Sequence, residues 1–597
     1  MGAVYKEKIR RFDGGLSDDP RDPNLTQSSL VKHFDIYSNP YKLIPIRSSE
    51  ADTHDGSSST GMKQYDPQDF LLGTDGKLYA LGKNGSSQSK IVSKADPTTG
   101  NWTLPASSEG NGARITGSFI EWASALWFFQ GTVQVAKWTL AGTLTDTVAS
   151  VGSTIVTVAP PIIGPDNNLY MFYNNKVVRV SPAGAVTDDV CSAIPADMRI
   201  SSVSRYGSYL AIGCAYGTSA TATPGGRSQV YIWDMVTDTT VEDVLDWGNG
   251  SLNILGNVEG RLVGVSDEFL SSSLGQSRGS MVIRLWSGGI PFVWKKVVAN
   301  QSVTLGRFIR NKVERDGKLY WVASVPFGLS TSTESTFHLG IWCFGRKNVD
   351  TNFALSIEII EEAIDTSNFK INSFGAAGAY FFINHSADGS VVKTDDADNY
   401  TETSIYDTPI LNGSENGLDN SDTKKLIGVK LFFDALPSAG VVKLFYRKDE
   451  QTTFTRIFTY GTDNAISHAA NQVEIGSDTV TMTIASPAVV TLTNHDFVAG
   501  QAIRFRTTGA LPTGVTAGTT YYVKSTGLAT DTFQFSATSG TDGTAVNTSG
   551  SQSGTHTLER DANLPEYKEL VLRLESTGKA VITGILWKYE YIDKDIF

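Results

Sequence analysis

Between residues 70 and 415 short apolar runs alternate with polar turns, and one unit keeps returning: a turn rich in Asp, Gly or Asn, then an apolar run capped by an aromatic residue. It reads Asp75-Gly76-Lys77-Leu78-Tyr79, Ala125-Leu126-Trp127-Phe128-Phe129, Asp166-Asn167-Asn168-Leu169-Tyr170, Tyr206-Gly207-Ser208-Tyr209-Leu210, Glu259-Gly260-Arg261-Leu262-Val263, Asp316-Gly317-Lys318-Leu319-Tyr320 and Gly378-Ala379-Tyr380-Phe381-Phe382. Runs this short, alternating with period two and split by polar turns, predict antiparallel hairpins. A unit recurring every roughly 40 to 60 residues cannot bury its apolar face alone, so the units must stack on one another. The pattern predicts a β-propeller over 61–420. Seven units favour seven blades; unequal spacing and the Gly/Ser/Thr-rich loops between 200 and 360 leave six blades plus an irregular insert open.

Residues 1–60 do not carry the unit. Closely spaced prolines (Pro20, Pro23) and the Gly14-Gly15 pair disfavour a long helix. An extended N-terminal arm is expected there, either crossing the domain or closing the ring by lending a strand. After about residue 420 the apolar runs lengthen, as in Leu426-Ile427-Gly428-Val429-Lys430-Leu431-Phe432-Phe433 and Ile585-Leu586-Trp587-Lys588-Tyr589-Glu590-Tyr591. These predict a β-sandwich built from 421–475 and 559–597. The stretch between, 476–558, holds little lysine and much Thr, Gly, Ser and Ala, and predicts a small β-module inserted into a sandwich loop. Such an insertion costs little, because loop-closure entropy grows slowly with length.

A chain of 597 residues exceeds what one core supports, and the repeat absorbs most of that length. Hydrophobic residues at 40%, charged residues at 19% and 57 glycines describe an ordered chain of short strands and turns, so the class is all-β. No run of about 18 apolar residues is present and the first residues lack the apolar core of a secretory signal, so neither export nor a membrane span is expected. Cys191, Cys214 and Cys343 are too scattered for a disulfide framework or zinc site and read as reduced core residues. A net charge of −12 argues against a protein that grips nucleic acid. It suits a surface past which a duplex slides without sticking.

Three stretches resemble known proteins. The segment from Thr493-Asn494-His495-Asp496-Phe497 through Leu511-Pro512-Thr513-Gly514 and Thr520-Tyr521-Tyr522-Val523 to Thr532-Phe533-Gln534-Phe535 resembles a small β-barrel module recurrent in tail and fibre proteins of tailed bacteriophages, and also a domain of ubiquitin-activating enzymes. The opening Phe12-Asp13-Gly14-Gly15-Leu16-Ser17-Asp18-Asp19-Pro20-Arg21 is similar to the start of phage virion proteins, tail nozzle proteins of short-tailed phages among them, in which such a turn precedes a β-propeller. The sandwich ending at Tyr591 resembles terminal domains of the same kind of protein. This resemblance implies a virion protein, and makes Phe12, Gly14, Gly15, Leu16, Asp18 and Asp19 candidate assembly contacts.

Candidate chemistry is sparse. There is no Gly-x-Ser-x-Gly elbow, His-Glu-x-x-His pair or phosphate-cradling loop. His33, His54, His338, His385, His468, His495 and His556 show no metal-ligand spacing. Asp395-Asp396-Ala397-Asp398, the Glu415 to Asp419 segment and Asp18-Asp19 with Asp22 could supply carboxylates for glycoside cleavage or calcium, but none has an ordered ligand spacing, so they read as solvated loop charge. The eleven tryptophans read as packing between blades rather than sugar platforms. The expectation is therefore a non-enzymatic structural component of a bacteriophage tail, without cofactor or metal, made in the host cytoplasm and resident in the virion. As a nozzle or tail-tip protein it would ring the DNA channel with copies of itself, most simply six, guide or gate genomic DNA without reading sequence, and dock the adaptor and fibres. The alternative is a receptor- or glycan-binding spike or fibre protein that meets host-surface glycan.

Overall fold

The computed structural model describes residues 4–16, 27–51, 69–83, 89–98, 100, 102–103, 115–217, 226–271, 277–299, 304–305, 312–326, 337–346, 352–360, 371–385, 391–394, 400, 402–413, 422–437, 439–451, 453–461, 472–475, 478–493, 495, 497, 499–559 and 564–592. All regular structure among them is β, and no helix is long and apolar enough to cross a membrane. The chain divides into two compact units, one made of Arg47–Arg346 and Ile357–Asp398, the other of Met1–Ile46, Lys347–Ser356 and Asn399–Phe597.

The first unit is a seven-bladed β-propeller. Blade 1 holds Asp69–Leu72, Leu78–Lys83 and Ser89–Lys94, with Thr103 bridging Ser93 at its outer edge. Blade 2 runs Ile115–Trp122, Ala125–Gln130, Gln134–Thr139, Leu144–Ser150. Blade 3 runs Val158–Ile163, Leu169–Tyr173, Lys176–Val180, Val186–Thr187, and blade 4 Met198–Tyr206, Tyr209–Tyr216, Arg227–Trp233, Asp243–Asn249. Blade 5 runs Ser251–Val258, Arg261–Ser271, Ser277–Trp286, Phe292–Ala299. Blade 6 has a divided inner edge, Thr304–Leu305 and Lys312–Arg315, followed by Lys318–Pro326, Phe337–Gly345 and Ala354–Ile360. Blade 7 has Ile371–Ala377, Tyr380–His385 and Val391–Thr394, and takes its fourth strand, Ser49–Ala51, from the N-terminal side of the ring. Consecutive inner strands touch all the way round, from blade 7 back to blade 1, so the ring is closed.

Six of the seven sequence units span the turn between the first and second strands of one blade, and the seventh, Ala125 to Phe129, lies in the second strand of blade 2 just past its turn at Ala123-Ser124. The turns need left-handed backbone, which Glu259-Gly260 (φ 50° and 78°) and Asp316-Gly317 (φ 52° and 71°) supply as two-residue hairpin loops. The aromatic residues that recur in the blade strands close the seams between blades. Tyr79 meets Trp138, Phe129 meets Tyr173, Tyr170 meets Trp233, Tyr206 meets Trp286, Trp294 meets Phe344, Tyr320 meets Phe381 and Phe382 meets Phe70, with ring centroids 4.9–5.8 Å apart. Every seam thus carries one aromatic pair, each adding about 0.5–1.5 kcal/mol beyond the area it buries.

The second unit is a sandwich. One sheet orders Val4–Ile9, Ile582–Ile592, Thr423–Phe433 and Gln472–Ile475, with Glu566–Tyr567 also on Thr423–Phe433. The other orders Leu30–Lys32, Ser404–Asp407, Leu570–Thr577, Val441–Lys448 and Thr455–Gly461. Leu426, Val429, Leu431, Val442, Leu444, Leu572, Leu574, Ile585 and Trp587 are buried on alternating positions, as facing sheets require. The N-terminal arm is therefore strand-forming in three places: it lends Val4–Ile9 and Leu30–Lys32 to the sandwich and Ser49–Ala51 to the ring. Residues 399–413, assigned to the propeller from sequence, belong to the sandwich unit because Ser404–Asp407 pairs with Leu570–Thr577.

The inserted module is a small barrel of seven short strands. Its sheet runs Thr532–Phe533, Val490–Thr491, Asp478–Met482, His556–Glu559, Ala502–Thr507, Thr520–Val523, Phe535–Ser536, so only Gln534 separates the first strand of that order from the last. Val490, Phe497, Ile503, Phe505, Tyr521, Val523, Phe533, Phe535 and Leu558 fill its core. Its place in the sandwich is unusual. Gln472–Ile475 pairs with Val429 to Phe432, and Glu566–Tyr567 pairs with Lys424 and Lys425. The two short strands lie end to end on one edge, and the barrel is an excursion from the gap between them.

Candidate functional site

The inner strands of the propeller bound an axial cavity of about 380 Å³ lined by Phe70, Leu71, Pro160, Pro161, Ile162, Val203, Arg205, Lys312, Val313, Glu314, Arg315 and Ala376. Blades 1, 3, 4, 6 and 7 all contribute. One wall is apolar. The other is a charged group set by the inner strands of blades 4 and 6.

Lys312 lies at the centre of that group. Its ammonium donates to the carbonyls of Val203 (2.7 Å, blade 4) and Leu255 (blade 5) and to Glu314 Oε1 at 2.6 Å. The same Glu314 oxygen accepts from the buried Ser204 hydroxyl at 3.0 Å. Two of the three Lys312 contacts thereby tie blade 6 to blades 4 and 5, and the third lets Lys312 and Glu314 neutralise each other. Two guanidinium groups remain. Arg205 spends Nε on the Ile163 carbonyl (2.5 Å), and Arg315 spends Nε on the exposed Asp316 (3.2 Å) while its plane faces the Phe381 ring at 5.5 Å. No described residue pairs with the terminal nitrogens of either arginine, nor with Glu314 Oε2.

At the outer ends of the inner strands two of the recurring turns make the same polar device. Tyr79 donates its phenol to Asp75 (2.8 Å) and Tyr170 to Asp166 (2.7 Å), while backbone N–H groups of Lys77 and Asn168 bond the same carboxylates. Burial pushes both carboxyls up, but these hydrogen bonds outweigh it and hold Asp75 and Asp166 below the ordinary 3.8. Burial and the adjacent carboxylate push both phenols well above 10. A Cβ at Gly73 or Gly164 would fall 2.7 Å from the Tyr79 ring and 2.6 Å from the Tyr170 ring, which is why glycine opens both turns.

Of the candidate assembly contacts, Phe12, Gly15 and Leu16 are spent inside their own unit. Phe12 is 1% exposed and packs edge-on to Tyr406 at 5.3 Å; Leu16 N–H donates to the Leu355 carbonyl at 2.9 Å. Gly15 has φ +66° and no room for a Cβ, which would sit 2.7 Å from Leu355 N. Gly14 is half-buried, and Asp18 and Asp19 lie outside the described residues. So do Asp22, the Asp395 to Asp398 run and the Glu415 to Asp419 segment.

The cysteines are free and buried, with Cys191 pushed by burial to about 11 and Cys214 higher still. Ten of the eleven tryptophans are buried and Trp294 is half-buried, which leaves no exposed platform. No group of three or more His, Cys, Asp or Glu side chains among the described residues is placed to hold a metal ion. His495 packs against Phe497 and Phe533 in the barrel core, and His556 bonds Thr507 and Gln552. Sequence reading did not find the axial cavity. Lys312-Val313-Glu314-Arg315 has the composition of an exposed strand, and only ring closure turns it inward.

No protein-family model and no curated protein matches the chain. Among solved structures it overlaps the WD40 β-propeller domain of Doa1 (12% identity, TM-score 0.34, 59% of this chain and 97% of that one). It also overlaps a catalytically inactive virginiamycin B lyase from Staphylococcus aureus with quinupristin (10%, 0.33, 58% and 97%). A third is an exo-β-1,3-galactanase from Phanerochaete chrysosporium (9%, 0.28, 91% and 100%). Overlaps this weak carry no argument about what the chain does. The propeller assignment stands on the seven groups of antiparallel strands and the closed ring of their inner strands.

Proposed function

We propose that this chain is a structural component of a bacteriophage tail, a nozzle or tail-tip protein that stands in several copies around the DNA channel. The observation that carries the reading is the barrel at 478–559: the residues through which it resembles the tail and fibre module, among them Phe497, Tyr521, Val523, Phe533 and Phe535, are its packed core. A sandwich and a propeller in the same chain, with an N-terminal arm feeding strands to both, suit a scaffold whose surfaces are divided among neighbours. The net charge of −12 suits a wall past which DNA slides. The duplex would run between copies and not along a propeller axis. The major groove alone is about 12 Å wide, whereas Lys312 and Glu314 reach the inner strand of blade 4 by direct hydrogen bonds.

The test is the mass and symmetry of the purified chain by mass photometry and negative-stain imaging, with labelled antibody locating it on virions of its phage. Sixfold rings, or six copies at the tail end, are the expected result. A stable trimer at the tail periphery would sink the nozzle reading and favour a receptor-binding spike.

A further inference from the structure

The axial cavity presents three kinds of surface at once. Arg205 and Arg315 offer terminal N–H groups that no described residue uses, set in a planar fork that matches an oxyanion. Glu314 Oε2 is an acceptor that no described residue bonds, held in place because Oε1 is fixed by Lys312 and Ser204. Pro160, Pro161 and Ile162 give an apolar wall, backed by the buried Phe70 and Val203. A volume of about 380 Å³ falls in the range of small-molecule pockets and admits one or two sugar-sized rings.

We propose that this cavity binds a sugar acid: a ring bearing a carboxylate for the two guanidinium groups, hydroxyls that donate to Glu314, and C–H faces that lie on the proline-rich wall. A neutral sugar leaves the terminal N–H groups of both arginines without an anionic acceptor. An inorganic anion leaves Glu314 facing like charge and the apolar wall bare. A free uronic acid and a uronic acid unit within an acidic polysaccharide present the same chemistry. The proposal rests on the cavity alone, and it stands whether the chain is a nozzle, a spike or neither.

The experiment is isothermal titration of the full chain with sodium glucuronate, digalacturonate, glucose and sodium phosphate, repeated with Arg205→Ala, Arg315→Ala and Arg205→Lys. Saturable one-to-one binding of glucuronate or digalacturonate is expected, weakened roughly ten- to a hundredfold by either alanine, the loss of one charge-assisted hydrogen bond. Arg205→Lys keeps the charge and loses the fork, so it should fall between. Rising salt should weaken binding. Tighter binding of digalacturonate than of glucuronate identifies a polysaccharide source, and the reverse identifies the free acid. Absence of saturable binding by both acids overturns the proposal, as does phosphate binding equally well through the same arginines, or sugar-acid binding that both alanine variants leave unchanged. Melting of each unliganded variant separates a lost site from a lost fold.

Discussion

Single residues here act mostly by filling a place that a neighbour leaves open. Trp247, on the outer strand of blade 4, is fully buried because Gly264 in blade 5 has no side chain: a Cβ there would fall 2.3 Å from the indole nitrogen. The Asp–Tyr turns work through charge as well as shape, and so set a pH range. Asp75 and Asp166 titrate below 3.8 when folded, so their contribution is complete above that value and is lost as pH falls through the lowered pKa. Tyr79, Tyr170 and Tyr173, the last raised to about 12, titrate above 10, so theirs is complete below pH 10 and is lost as pH rises through the raised values. Melting temperature against pH should show a plateau from about pH 4 to pH 10 with a fall on each side. Tyr170→Phe keeps the contact with Trp233 but removes the donor to Asp166. It should cost about 0.5–1 kcal/mol at neutral pH, modest because the turn faces solvent, and move the acid shoulder upward. An unchanged acid shoulder would mean that the phenol does not hold Asp166.

At the scale of elements, the ring depends on a strand from its own beginning. Ala51, Glu50 and Ser49 pair with Val392, Lys393 and Thr394. Neighbouring residues of a strand point their N–H groups to opposite edges, so replacing Glu50 and Ala51 together by proline must remove one ladder hydrogen bond. Differential scanning calorimetry should then show the propeller transition lowered by a few degrees, with the barrel transition unmoved. An unmoved propeller would show that the seven aromatic seams hold the ring without this strand. How much was legible follows the same physics. The first-to-second-strand turns could be read because each needs left-handed backbone and sits beside a strand with a seam aromatic, and both demands leave a mark on local sequence. Outer strands such as Val186–Thr187 and Ser49–Ala51 pack little and alternate too briefly to leave one. In the barrel, Asp478–Met482 and His556–Glu559 escaped notice because strands at the ends of an insertion pair with each other across its whole length. The cavity was hidden for a third reason: Arg205 and Arg315 lie on inner strands of different blades, and nothing local marks which strand faces an axis.

Across the whole molecule, stability is spread over many similar joints between blades, and the joint where the barrel leaves the sandwich is of another kind. Replacing residues 478–559 by a short Gly/Ser linker should leave the sandwich and propeller transitions within about a degree or two of the parent, because the edge strands Gln472–Ile475 and Glu566–Tyr567 keep their places and the loop cost is small. The excised 476–560 fragment should fold alone, with the near-ultraviolet circular dichroism expected of packed Phe505, Tyr521 and Phe535. Collapse of the sandwich on excision would show that the barrel is part of its core. Within the barrel, Asp478 and Leu558 are direct ladder partners, so entry and exit lie side by side. A cassette with adjoining ends, set into a seam the host strand already tolerates, can be exchanged for another of similar girth without shifting any register around it.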